Sequence, residues 1–114
     1  MFTVERRQFA RVPLDAPCLI TLRITDWGPE TTLLADISLG GLQASFTPGR
    51  EINWETLLGR SVVVDSLPIS LLTSPAGENL RGSVSWISPR RCGVRFEQPL
   101  PLSETDLVLA LATL

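Results

Sequence analysis

The sequence contains no histidine, no tyrosine and no lysine, and all ten of its basic residues are arginine. The missing histidine removes the commonest general base and the commonest metal ligand. Without lysine there is neither Schiff-base chemistry nor a phosphate-gripping P-loop. No serine, threonine or cysteine has an evident base beside it, so no catalytic residue is expected and the inventory leans towards binding. The two cysteines, Cys18 and Cys92, lie far apart and match no metal-ligand spacing, so no metal is expected. Each sits in a stretch of alternating polarity, where a free thiol serves as a small apolar side chain, and nothing supports a disulfide between them. Aromatic residues make up only 6% and the isoelectric point is near 5.0. Both argue against a basic groove with aromatic platforms for single-stranded nucleic acid. The longest nearly unbroken apolar run, "LVLALATL" at residues 107–114, is far too short to span a bilayer. No basic start with an apolar core and a cleavage site opens the chain, so no signal peptide and a cytoplasmic location are expected.

What is present is enough for one folded domain. The chain has 114 residues, 44% hydrophobic and 19% charged, which suits a single core and is unlike a disordered segment. Strand-like alternation dominates. In "PCLITLRITD", Cys18, Ile20, Leu22 and Ile24 share one face, with Thr21, Arg23 and Thr25 on the other. In "TTLLADIS", Leu33, Ala35 and Ile37 are expected on one side, and Thr32, Leu34 and Asp36 opposite. After "LGG", the stretch "LQASF" sets Leu42, Ala44 and Phe46 inward, and the glycine-containing turn between the two strands reads as a hairpin.

Residues 47–60 open on a Pro-Gly turn and hold a short strand or helical turn around Trp54 to Leu58. "SVVVDS" and "LPISLLT" are rich in strand formers, and "SPAGEN" is a turn. "LRGSVSWIS" sets Leu80, Val84 and Trp86 on one face, and "CGVRFE" sets Cys92, Val94 and Phe96 inward with Arg95 outward. Trp54 and Trp86 are expected in the core and Trp27 in a turn, with Arg90 and Arg91 solvated. About six strands with turns at short intervals imply a small antiparallel barrel or sandwich.

The last segment reads as a helix over about 103–113. Ser103 can cap it, with Asp106 three residues on and Glu104 also suited to a helix N-terminus. Leu107, Val108, Leu111 and Leu114 form an apolar stripe, expected to lie over an open barrel end. Leu109, Ala110 and Ala112 make the other faces apolar too, which leaves a partner protein or a homodimer through the outer face open.

Two short motifs carry the functional reading. "RRQFAR" concentrates Arg6, Arg7 and Arg11 near the start of a chain whose net charge is -2, and "DISLGG" spans Asp36 to Gly41. Neither is specific alone. In this order, with strands between and after them, they resemble the PilZ domain family, whose signature is R-x-x-x-R followed by D/N-x-S-x-x-G. "RQFAR" at residues 7–11 and "DISLGG" supply every position of it, and "GSVSWIS" and "CGVRFE" look like the family's later strands. The resemblance covers residues 5 to 112. It implies an all-β fold, a six-stranded antiparallel β-barrel with a C-terminal α-helix packed beside it. It also implies a bacterial receptor for the second messenger cyclic di-GMP, with Arg6, Arg7, Arg11, Asp36, Ser38, Gly40 and Gly41 at the binding site. Residues 1–12 are then a flexible arginine-bearing segment that orders over the ligand, and residues 13–114 the barrel domain.

The chemistry of these residues fits such a ligand. An arginine fork grips phosphate oxygens in pairs and reads the O6 and N7 edge of guanine. Its plane also stacks on purines. The Asp36 carboxylate can accept hydrogen bonds from guanine N1 and N2, the Ser38 hydroxyl can reach base or phosphate, and Gly40 and Gly41 leave room for a close approach. Within the family, an arginine in the place of Arg6 resembles a selector for an intercalated pair of ligand molecules. The expected role is signalling to an unidentified protein partner in motility, pilus, exopolysaccharide or virulence control. No membrane or nucleic acid polymer is expected as a partner. The alternative is a PilZ-like adaptor acting through protein contacts without ligand, against which the intact motif argues.

Overall fold

The computed structural model describes residues 10–14, 18–47, 54–65 and 80–112, with Trp54 described in its backbone only. Among the described residues, seven strands and one helix follow in order: β1 Val12–Pro13, β2 Leu19–Ile24, β3 Gly28–Ser38, β4 Gly41–Phe46, β5 Ser61–Asp65, β6 Leu80–Ile87, β7 Arg91–Phe96 and α1 Glu104–Ala112. A 3-10 turn, Trp54–Leu57, stands between β4 and β5, where a short strand or a helical turn was expected. The strands pair antiparallel in the order β3, β2, β5, β6, β7, β4, and β4 pairs back onto β3. That last pairing closes a six-stranded barrel, as expected, and closure leaves no free edge among the six.

β3 makes closure feasible because it is 11 residues long and serves two neighbours. Its first half, residues 28–33, pairs with β2, and residues 32–38 pair with β4. Where β2 parts from β3, the short β1 takes over the same edge, with Val12 opposite Ile37 and Pro13 opposite Asp36.

The inward row of β2 is as the alternation predicts. Cys18, Ile20, Leu22 and Ile24 are all buried, and so are Leu42, Ala44 and Phe46 of β4 and Cys92, Val94 and Phe96 of β7. Burying side chains of this size contributes roughly 1.5–3 kcal/mol for each large one, which is the main force holding the barrel shut.

Two expectations about facing are corrected. In β3, Glu30, Thr32 and Leu34 face inward and Leu33 does not. A bulge at Ala35, where the register with β4 shifts between Leu34 and Asp36, then reverses the phase so that Ile37 is buried. One extra residue turns every following side chain to the other face. The same thing happens in β6, where the register shifts between Val84 and Trp86. Val84 is buried, whereas Trp86 swings to the outer face and is half-buried there rather than part of the core. Trp27 does lie in the turn between β2 and β3, but it also packs against the core, and its indole Nε1 donates to Glu30 Oε1 at 3.1 Å.

α1 begins as expected: Ser103 Oγ accepts from the Asp106 amide at 3.0 Å. Its buried residues are Leu107, Ala110 and Leu111, not the stripe of Leu107, Val108 and Leu111 read from the sequence. Val108 is 48% exposed, and Leu114 lies outside the described residues. The strands expected at "LPISLLT" and the turns at "SPAGEN" and Pro48–Gly49 lie outside them too. No helix is long and apolar enough to cross a membrane among the described residues.

Candidate functional site

The "DISLGG" stretch forms the tip of the β3–β4 hairpin. Ser38 pairs with Gly41 across a two-residue turn of Leu39 and Gly40. The Ser38 hydroxyl accepts from the Gly40 amide at 3.2 Å and donates to the Gly41 carbonyl at 3.3 Å, so it shapes the turn first of all. Leu39 is buried and anchors the tip. The Leu39 carbonyl accepts from Leu100 at 2.7 Å and the Gly40 carbonyl from Phe96 at 2.9 Å, which ties the turn to the end of β7. Gly41 has a reason other than turn flexibility: a Cβ there would overlap the Val94 carbonyl of β7. Only a glycine lets β4 approach β7 so closely at this point.

Cross-strand register then builds a row on the outer surface of the barrel. Asp36 of β3 stands opposite Gln43 of β4, Gln43 opposite Gly93 of β7, and Gly93 opposite Trp86 of β6. The Trp86 indole lies directly on Gly93, so that a Cβ there would collide with its ring. The bulged Ser85 donates its hydroxyl to the Gly93 carbonyl at 3.2 Å, which fixes this part of β6 against β7. Arg91 and Arg95, two residues either side of Gly93, share its outward face and are exposed. Arg95 stands opposite Gly41, next to the hairpin tip.

Arg11, the residue just before β1, reaches the same row. Pairing of Val12 with Ile37 leads the chain alongside the end of β3 and brings Arg11 over β4. With the Gln43 amide turned so that its oxygen faces Arg11, that oxygen accepts from the guanidinium, 3.2 Å from Nη2, with Nη1 also against it. The amide of Ala10, one residue earlier, donates to Glu104 Oε2 at 2.8 Å, which links this segment to the first residue of α1. The structure therefore gathers Arg11, Asp36, Ser38 and Gly41 at one end of the β3–β4 hairpin. Arg6 and Arg7 lie outside the described residues.

Gln43, Trp86 and Arg95 complete this surface and were not singled out as site residues by the sequence. A signal for Gln43 existed. Counting outward from a two-residue turn pairs 38 with 41, 37 with 42 and 36 with 43, before the bulge interrupts. For Trp86 there was none, because its position depends on a bulge that no residue type announces.

Both cysteines are buried free thiols, away from the outer face. Burial pushes the Cys92 thiol up to about 12 and raises Cys18 as well. Among the described residues there is no group of three His, Cys, Asp or Glu side chains that could hold a metal.

A family model for the PilZ domain matches residues 5–113. The chain belongs to the PilZ domain family. Solved structures agree on the fold. One is the "PilZ domain with c-di-GMP of YcgR from Escherichia coli", similar over 96% of this chain and 93% of that one, with a TM-score of 0.60 and 19% identity. Another is the Bacillus subtilis inhibitor of motility (MotI/DgrA), with a TM-score of 0.57 and 18% identity. This PilZ domain is matched over 96% of its own length there and spans 51% of that protein. None of the curated proteins matches the sequence.

Proposed function

We propose that this PilZ domain is a receptor for cyclic di-GMP that acts by binding, not catalysis. The ligand lies on the outer face of β3, β4 and β7, against the hairpin tip. The observation that carries this reading is the pairing of β1 with β3, which holds Arg11 beside the strand bearing Asp36 and Ser38. Arg11 and Arg7 grip the phosphates, and Asp36 takes the Watson–Crick edge of a guanine. Ser38, Gly40 and Gly41 form the floor on which the ligand rests. Arg95 adds a cation on the same face, and the half-buried Trp86 offers a ring edge or face at its far side. Arg6, preceding the R-x-x-x-R run, supplies a third guanidinium for a second, intercalated ligand molecule.

Binding would be transmitted to a protein partner in the cytoplasm. Ala10, inside the R-x-x-x-R run, bonds Glu104 at the start of α1, so a ligand that reorders the run also disturbs the helix start. The exposed Val108 and Leu109 of α1 are the apolar side chains such a change would present differently.

Calorimetric titration of the purified chain with cyclic di-GMP tests the reading. Binding at micromolar concentration or tighter is expected, and Arg7→Ala and Asp36→Ala should each abolish it while leaving thermal unfolding unchanged. A stoichiometry of two that falls to one in Arg6→Ala would establish the intercalated pair. A folded parent chain that takes up no ligand would overturn the receptor reading, and an adaptor acting through contacts alone would replace it.

A further inference from the structure

We propose that Gln43 is a positioning residue for Arg11: a neutral acceptor that holds the guanidinium over β4 and yields it to a ligand phosphate. The proposal rests on the receptor reading and goes further in assigning a role to a residue outside both sequence motifs.

Gln43 lies between the buried Leu42 and Ala44, so its side chain points away from the core. An outward amide on a barrel surface is ordinarily solvated. This one is only 9% exposed, and its oxygen is occupied by the Arg11 guanidinium. Arg11 is itself half-buried. The contact therefore orders a long side chain beside Gln43, whose cross-strand partner is Asp36.

The neutrality of the partner decides what the contact can do. An arginine bond to an amide oxygen is a modest interaction in which only one partner is charged. A phosphodiester offers two anionic oxygens to the same fork and makes charge-assisted bonds that are shorter and stronger. Exchange of amide for phosphate is therefore favourable. A carboxylate at the same place would form an ion pair with Arg11 and repel the phosphate, so the segment would be closed to the ligand. An apolar residue would leave Arg11 unanchored, and the ligand would have to order it at the moment of binding. Glutamine is the intermediate choice: strong enough to orient the fork, weak enough to release it.

The test compares the parent chain with Gln43→Met and Gln43→Glu in cyclic di-GMP titrations, with thermal unfolding as the control for folding. Gln43→Met, which keeps the length and loses the acceptor, should weaken binding about three- to tenfold. Gln43→Glu should weaken it by about tenfold or more. A side-chain NMR signal separates positioning from a general structural role. The Arg11 Nε–Hε resonance, identified by its loss in Arg11→Ala, should be dispersed in the ligand-free parent and move to the solvated position in Gln43→Met. Affinities of both variants within about twofold of the parent would overturn the proposal and leave the receptor reading standing. An unmoved Arg11 resonance in Gln43→Met would overturn it as well. If the parent itself binds nothing, the receptor reading falls and this proposal falls with it.

Discussion

At the scale of single residues, the outer face is organised by what glycine permits. Gly93 has no side chain, and the Trp86 indole occupies the space a Cβ would need. Gly93→Ala should force that ring outwards, with a loss of about 1–3 kcal/mol from overpacking. A red-shifted tryptophan emission and a lower urea midpoint would report it, and unchanged emission would mean that the ring has another seat. Asp36 and Gln43 show how far sequence could see at this scale. The outward direction of Asp36 was legible because Ile37, beside it, is apolar and faces in. Its partner Gln43 was legible only by counting from the turn. The contact between Gln43 and Arg11 was not legible at all, since it joins Gln43 of β4 to the residue just before β1, and the two meet only because both strands flank β3.

At the scale of elements, two bulges and one cap do most of the positioning. The bulge at Ala35 lets β3 present Thr32 and Leu34 to the core and Asp36 to the outside, although these three residues appear on one face in a simple alternation. Leu33 and Leu34 are equally apolar, so composition gave no means of choosing the phase. The cap of α1 was legible because it is local. Ser103, the residue preceding the helix, accepts from the amide of Asp106. Ser103→Ala should destabilise the domain by about 1 kcal/mol, measured as a shift of the urea midpoint without change of slope. Because Glu104 also receives the Ala10 amide, fraying at this end should loosen the arginine-bearing segment too. The helix's buried face was misread for a geometric reason. Leu107, Ala110 and Leu111 follow the three- and four-residue spacing of a helix against a surface, and the small Ala110 lets the helix lie close, while Val108 and Leu109 turn outwards.

At the scale of the whole molecule, the unusual composition makes its pH response simple. With no histidine, lysine or tyrosine, the only side chains that titrate between the carboxylates and the arginines are the two thiols. The ordinary thiol value is 9.0, and burial pushes the Cys92 thiol up to about 12 in the folded chain. Above pH 9 the unfolded chain releases a proton that the folded chain keeps, so stability is full below that pH and falls as pH rises towards 12. Unfolding free energy should drop by about 2 kcal/mol between pH 8 and 10.5, and Cys92→Ala should flatten most of that slope. Urea titrations of both proteins at several pH values would check it. Identical slopes for parent and variant would place the effect elsewhere.

The amino-acid sequence by itself determined the β-rich class, the hairpin tip at "DISLGG", the helix start at Ser103 and the pairing of two motifs that mark a PilZ domain. Those features are local: a turn, a cap or an alternation is written within a few neighbouring residues. Only the tertiary structure decided which phase β3 and β6 adopt, because a bulge is selected by the fit of whole strands around a closed barrel. Closure also decided that Arg11 would meet Gln43, and that Trp86 would leave the core to cover Gly93. Each of those contacts crosses from one strand to another, and the register between strands is fixed by packing the barrel interior, not by the residues that face outwards.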